Sequence, residues 1–327
     1  MKRYIQLTSF KATITSALLL TVLLTTGCKK EKALEPSNLD EDYFVVKDNP
    51  NDPVDHAIYQ FYQSTGIASF YSDTIHRRQI SDSAGFPRYN YVRLSLNYNL
   101  FGATQYRFVR LSSKTNVPAC LTVIKDKVLP VLPDNLNIPS ILLVDSFINL
   151  TPLLYVNSED GWDAIQGFNT VGIKVVNAGI MTEEEKKTYA GSILAGMAEK
   201  RLNSLYAAEL QKNFYSITRA AGLTLMEYDI YFGLPFVIFG VDFSTVPPAE
   251  HYGYLKYIHI ANNWGLDDPL YTAAPANEQS DLRAFLTAIF RYTTAEFNAK
   301  YTNDELVMQK FGIAKNMVKR AGFKFAD

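Results

Sequence analysis

The chain has 327 residues, of which 47% are hydrophobic, and its 32 basic and 33 acidic residues leave a net charge of −1. This length and composition supply enough apolar material for one large domain or two small ones. The charge balance argues against nucleic acid as a partner, and two cysteines, Cys28 and Cys120, exclude a disulfide framework.

The first 28 residues have the order of an export signal. Basic residues precede an apolar run over residues 14–24, and small residues then lead to Cys28. The run is shorter than the roughly 18 to 20 residues that a spanning helix needs. We predict a signal peptide at residues 1–27, cleavage before Cys28 and lipid on that cysteine. The alternative is ordinary secretion, which leaves a free thiol at residue 28. Labelling with palmitate distinguishes the two, because only a lipidated chain takes up the label.

Residues 28–52 are predicted to be the lipidated cysteine and a flexible tether. The segment is charged and rich in Pro, Asn and Asp, with a single apolar stretch over residues 43–46. A tether of this kind holds a folded domain away from the lipid. The sequence leaves open which face of the membrane the domain occupies.

The first half of the folded part, which we place at residues 53–327, is predicted to be rich in strands. Alternating apolar and polar residues indicate most of these strands, and longer apolar periodicity indicates the helices. The predicted elements are a helix over 55–63, strands over 69–74, 89–97 and 106–112, a helix over 117–131, and strands over 141–147 and 172–177.

Helices are predicted to dominate the second half. Thr182 followed by Glu185 forms a capping box for a helix that reaches about Asn203. Ser280 and Asn303 are predicted to open two further helices. Strands followed by helices indicate an α+β domain.

Several catalytic classes have no sequence support. The chain has no Walker-type phosphate loop, no GxGxxG turn and no GxSxG elbow. Its histidines are His56, His76, His251 and His259, and the last two are eight residues apart, which is not a helical ligand spacing. We predict no metal site there.

Several segments resemble the zinc metallohydrolase lipoproteins associated with TonB-dependent nutrient import, a zincin-like metallopeptidase family. These are the stretch from GIKVVN (172–177) to FYSIT (214–218), the opening helix with the YSDT strand (71–74), ILLVD (141–145) and KFGIAKNMVKRAGF (310–323). The resemblance covers about residues 53–327. It implies a zincin-like α+β fold with a β-rich N-terminal half, a mixed sheet packed on helices and a helical C-terminal half.

In that family, the helix after the GIKVVN-like strand carries HExxH, whose two histidines bind Zn²⁺ while the glutamate activates water. Here the five positions are Ala195, Gly196, Met197, Ala198 and Glu199. The resemblance places Ala195 at the first histidine, Gly196 at the catalytic glutamate and Glu199 at the second histidine. We therefore expect neither zinc nor another cofactor, and no hydrolysis. A second interpretation is that these small residues let another element pack closely, with Glu199 on a solvated face.

The resemblance implies an accessory or binding protein of a nutrient-import system, lipid-anchored at the outer membrane and catalytically inactive. Its partners would be the membrane, through Cys28, and a TonB-dependent importer with its surface lipoprotein. One alternative is an active metal-dependent hydrolase in which Glu199 and a distant group replace the lost ligands. Another is capture of a glycan or peptide, for which Trp162 and Trp264, in polar loop-like contexts, are the candidate binding residues.

Overall fold

The computed structural model describes residues 41–83, 85–96, 105–150, 155–156, 162–261 and 268–325. Cys28 and Trp264 lie outside these ranges, so the predictions made for them stay predictions. A compact unit extends from Tyr43 to Asp327. It begins about ten residues before the boundary predicted from sequence, because the Phe44 ring packs against Phe70 at 6.4 Å.

The described residues form eight α-helices, and the three longest lie in the second half of the chain. The eight helices are α1 (Pro53–Thr65), α2 (Val117–Val123), α3 (Glu183–Glu209), α4 (Ser216–Gly222), α5 (Pro269–Thr272), α6 (Glu278–Arg291), α7 (Thr294–Tyr301) and α8 (Glu305–Arg320). A π-helical turn and a 3-10 turn continue α2 to Val131, and a π-helical turn joins α3 to α4. Within the described part of the chain, no helix combines the length and the apolar character that crossing a bilayer requires.

The strands of the described residues form three sheets. They are β1 (Ala68–Phe70), β2 (Thr74–Ser83), β3 (Phe86–Arg93), β4 (Gln105–Arg110), β5 (Ser140–Leu150), β6 (Tyr155–Val156), β7 (Ala164–Gln166), β8 (Val171–Lys174), β9 (Ile258–Ala261) and β10 (Ala273–Ala274). The main sheet has the order β1-β5-β8-β7, with β4 also paired to β5. Strands β6, β9 and β10 form a second sheet, and β2 and β3 form a hairpin.

The main sheet is mixed. Strands β1 and β8 are parallel to β5, whereas β4 pairs antiparallel with the second half of β5. Strand β7 is antiparallel to β8 and ends the strand order on that side. A mixed sheet packed with helices confirms the coarse prediction of a mixed α and β domain.

Local sequence sets the helix starts. The Thr182 hydroxyl accepts from the Glu185 amide and the Glu185 carboxylate accepts from the Thr182 amide, so the predicted capping box of α3 is confirmed. Thr293 and Glu296 form the same box at α7, a helix that the sequence prediction missed. At α1, the Asp52 carboxylate accepts from two backbone amides and Pro53 occupies the first turn.

Two apolar clusters cover the two faces of the main sheet. The larger cluster includes Leu143, Ile193, Phe285 and other buried residues of the sheet and of α1, α2, α3, α6 and α8. The smaller one joins Leu94, Leu142 and Val144 to partly buried rings such as Phe44 and Phe70. Leu142 and Leu143 are successive residues of β5, so they point to opposite faces of the sheet.

Candidate functional site

The positions that the resemblance equates with HExxH lie in a completely buried part of α3. Ala195 is 0% exposed, and every residue from Tyr189 to Glu199 is buried. A helix that is buried all round must contact other elements on each side. Helix α3 contacts α6 and strand β7.

Gly196 permits the contact between α3 and β7. A Cβ atom at Gly196 would lie 2.2 Å from the carbonyl oxygen of Ala164, far inside van der Waals contact. The volume of any larger side chain at Gly196 is therefore filled by the backbone of β7. The interpretation that small residues here allow close packing is confirmed at this position, and no carboxylate fits there without moving the strand.

Glu199 is paired rather than solvated, so the expectation of a solvated face is wrong. Its side chain is 11% exposed. Arg283 Nη2 donates to Glu199 Oε2 at 3.0 Å, Gln279 Nε2 donates to the same oxygen at 3.3 Å, and Asn203 Nδ2 donates to Oε1 at 2.7 Å. Both carboxylate oxygens are thus occupied.

Arg283 connects α6 to both α3 and β7. Its side chain is 1% exposed, and Nη1 donates to the Ala164 carbonyl oxygen at 3.3 Å. The guanidinium carbon lies 4.1 Å from the centroid of the Trp162 ring, within the distance of a cation–π contact. The Ala164 oxygen that fills the space beside Gly196 is therefore also an acceptor for Arg283.

The residues at the three motif positions do not fit a zinc ion. Ala195 and Gly196 have no ligand atom, and the Glu199 carboxylate is already neutralised by Arg283. Among the described residues, no group of three or more His, Cys, Asp or Glu side chains is arranged to hold a metal. The arrangement instead places a fixed positive charge beside Glu199, where it compensates a carboxylate that would be costly to bury alone.

Trp162 is not an exposed platform, so that expectation is wrong. It is 8% exposed because its ring packs against Arg283. His251 and His259 are exposed, and His259 Nδ1 lies 3.3 Å from the Thr272 hydroxyl. These side chains have ordinary roles in packing and hydrogen bonding.

A second buried ion pair involves Asp281, two residues before Arg283 on α6. Lys310 Nζ donates to Asp281 Oδ2 at 2.5 Å and to the Thr218 hydroxyl at 2.8 Å, and the Tyr231 hydroxyl donates to the same Asp281 oxygen at 2.5 Å. Lys310 and Asp281 are 0% and 1% exposed at their side chains. Burial lowers the pKa of Lys310 to about 8 and raises the pKa of Asp281. Aromatic rings of Phe214, Phe285 and Tyr254 surround the ammonium group.

Sequence reasoning did not identify Arg283 or Lys310. Each is far in sequence from its carboxylate partner: Arg283 is 84 positions from Glu199, and Lys310 is 29 positions from Asp281. The signal that was present is composition: Asp281 and Arg283 interrupt the apolar face of α6, where charged residues are rarely buried unless they are paired.

A groove of about 340 Å³ lies between the end of α3, its following π-helical turn and α8. Its lining includes Glu209, Lys212, Ser216, Gln309 and Ile313. None of the motif positions contributes to it.

No family model, no curated protein and no solved structure matches this chain.

Proposed function

We propose that this chain is an exported, lipid-anchored protein of the outer membrane that descends from zinc metallohydrolases but does not catalyse hydrolysis. In this proposal it acts as an accessory or binding protein of a TonB-dependent nutrient-import system. The observation that carries the loss of catalysis is the Arg283–Glu199 ion pair, with Nη2 and Oε2 3.0 Å apart. A guanidinium holds the position next to the one carboxylate left in the motif.

Two features support a zincin-like origin of the fold. The main sheet ends in an antiparallel strand, β7, and this strand lies directly against the helix that carries the motif positions. The motif positions also lie on the helix that follows the GIKVVN segment, and this helix starts at a capping box. The importer and the accessory role follow from the resemblance alone.

The competing proposal of an active metal-dependent hydrolase has less support. It needs Glu199 as a ligand, but the Glu199 carboxylate accepts from Arg283, Gln279 and Asn203. It also needs space for substrate and water near Gly196, and the Ala164 carbonyl occupies that space. Both groups would have to move before a metal could be bound.

Anchoring and partnership are tested together in cells. The full chain and its Cys28→Ser variant are produced with a C-terminal tag, labelled with palmitate, cross-linked and fractionated. We expect label and outer-membrane retention that depend on Cys28, and cross-links to a TonB-dependent transporter. A labelled chain that stays in the inner membrane, or one without transporter cross-links, would contradict the proposal.

Peptide or glycan capture is a second candidate function, and an exposed apolar surface favours it. Tyr228 and Phe232 are 61% and 64% exposed, and their rings lie 5.4 and 6.0 Å from Phe239. Val237 and Ile238 belong to the same 3-10 segment, which α5 contacts, and α5 contributes the exposed side chains of Leu270 and Tyr271. Exposed apolar patches of this kind often mark binding sites.

The capture function is tested by binding to arrayed peptides and oligosaccharides. We expect Phe232→Ser with Ile238→Ser to remove any binding that the wild-type chain has. The matched control is Phe168→Ser with Ile180→Ser, which changes two other apolar residues that are at least about as exposed. If binding persists after Phe232→Ser with Ile238→Ser, this surface is not the binding site. The same conclusion follows if the control pair loses binding equally.

A further inference from the structure

The hairpin of β2 and β3 projects from the domain with both of its faces exposed. The two strands pair with each other and with no other strand in the described part of the chain. From Arg77 to Tyr91, nearly every described residue of the two strands is exposed, and Ile80 and Phe86 are 63% and 77% exposed. Since an isolated two-stranded hairpin is only marginally stable in water, a second surface that covers it would stabilise it.

The hairpin is basic in a chain that is close to neutral. Between Thr74 and Arg93 it has four arginines and one acidic residue, Asp82. Arg78 and Arg88 are exposed, and neither makes an ion pair or side-chain hydrogen bond with another residue that the structure describes. Their guanidinium groups are therefore available to an anionic surface.

The charges and the apolar tip are on the same face. Arg78 pairs with Asn90 across the hairpin, and Phe86, Arg88 and Asn90 alternate along β3, so these side chains point to one side. On the opposite side, the Arg77 guanidinium lies 3.7 Å from the centroid of the Tyr89 ring. The exposed Phe86 ring therefore lies nearer the tip of the hairpin than the Arg78 and Arg88 guanidinium groups. This order matches a bilayer interface, where the phosphates lie outside the apolar lipid chains.

The base of the hairpin is also where the N-terminal segment joins the domain. The Tyr43 ring lies 4.8 Å from the ring of His76, near the start of β2. Cys28 precedes Tyr43 by 15 residues, which span at most about 50 Å. The hairpin itself extends about 25 Å from His76 to Ser83. Lipid on Cys28 and the tip of the hairpin can therefore reach one and the same membrane.

We propose that the β2–β3 hairpin docks on an anionic bilayer, with Phe86 inserted and with Arg78 and Arg88 bound to lipid phosphates. The bilayer is the one that holds the lipid on Cys28, so this location rests on the proposed anchoring. The docking itself does not depend on whether the α3 site binds zinc. It orients the domain on the membrane, which lipid at the end of a long tether does not do.

The test is co-sedimentation of the unlipidated chain, residues 29–327, with vesicles of phosphatidylcholine alone or mixed with phosphatidylglycerol. We expect binding to the mixed vesicles that falls as salt is raised. Arg78→Gln with Arg88→Gln should weaken it roughly 25-fold, because each basic residue near an anionic surface contributes about fivefold. Phe86→Ser should weaken it about tenfold.

The matched control is Lys125→Gln with Lys212→Gln, which removes the same charge from exposed positions elsewhere and should change binding little. Equal losses in the two double variants, or equal binding to neutral vesicles, would overturn the proposal. So would binding to an acidic peptide without binding to vesicles, which would identify a protein partner. The chain could show hairpin-dependent binding to vesicles and yet take up no palmitate in cells. That result would support the docking and refute the anchoring.

Discussion

Arg283 Nη2 lies 3.0 Å from Glu199 Oε2, and the two side chains are 1% and 11% exposed. This pair joins α6 to the helix that carries the motif positions, and the same guanidinium bonds to the edge strand through the Ala164 carbonyl. A buried charge pair of this kind therefore ties together α3, α6 and β7.

Removing one member of the pair should destabilise the fold strongly. Arg283→Met leaves the Glu199 carboxylate buried without its cation, and we expect a loss of about 3–5 kcal/mol in the free energy of unfolding. Glu199→Met together with Arg283→Met should recover part of the loss, because no uncompensated charge remains. Urea unfolding of the three proteins measures this. If the free energy of unfolding of Arg283→Met were within about 0.5 kcal/mol of the wild-type value, the pair would contribute nothing to stability.

Gly196→Ala should be destabilising although alanine is the better helix former. The added Cβ would lie 2.2 Å from the Ala164 carbonyl oxygen, so α3 and β7 must separate, and overpacking of this kind costs about 1–3 kcal/mol. The control is Gly312→Ala in α8, where no atom lies within 4 Å of the new Cβ. That variant should gain about 0.5–1 kcal/mol. Thermal unfolding of both variants measures these effects. A Gly196→Ala variant that is more stable than wild type would refute the close contact between α3 and β7.

Alkaline pH should unfold the protein cooperatively. Burial raises the pKa of Tyr189, Tyr215, Tyr231, Tyr254 and Tyr257 above the ordinary value of 10.0. A raised folded pKa means that the native state keeps protons that the unfolded chain releases, so the stabilisation is complete below pH 10 and is lost as pH rises beyond it. Tyrosinate absorbance and circular dichroism, followed together, should change in one step.

The matched variant for this titration is Tyr254→Phe. The Tyr254 hydroxyl is buried and has no hydrogen-bond partner in the described structure, so its removal deletes a titrating group and no bond. The pH dependence of unfolding above pH 10 should become shallower by up to one proton. Ionisation of the buried tyrosines with circular dichroism unchanged would contradict the burial described here.

Cys120 should be unreactive in the native protein. Its side chain is 0% exposed, Sγ lies 3.0 Å from the Tyr189 hydroxyl, and burial raises the pKa of the thiol to about 11. In the chain that begins at residue 29, Cys120 is the single thiol. Ellman's reagent at pH 8 should therefore label it only after unfolding. Rapid stoichiometric labelling of the native chain would show that this part of the core opens.

Local sequence signals predicted the starts of the longer helices and five of the ten described strands, whereas the chemistry at the motif positions depended on contacts across the chain. Thr182 and Glu185 are three residues apart, so their capping box is readable from sequence. Strand β1 ends at Phe70, before the predicted Thr74, because only Ala68 to Phe70 pair with β5. Trp162 was predicted to be exposed because its neighbours are polar, and its burial follows from Arg283, which is distant in sequence.

The zinc content of the chain from residue 29 to residue 327 tests the central claim most directly. The protein is exposed to Zn²⁺, dialysed against a weak chelator and analysed for metal, with Arg283→Met measured beside it. We predict almost no zinc in either protein, because Ala195 and Gly196 supply no ligand even when Glu199 is released from its pair. About one zinc per chain in the wild type would contradict the account and would make the active hydrolase the leading interpretation.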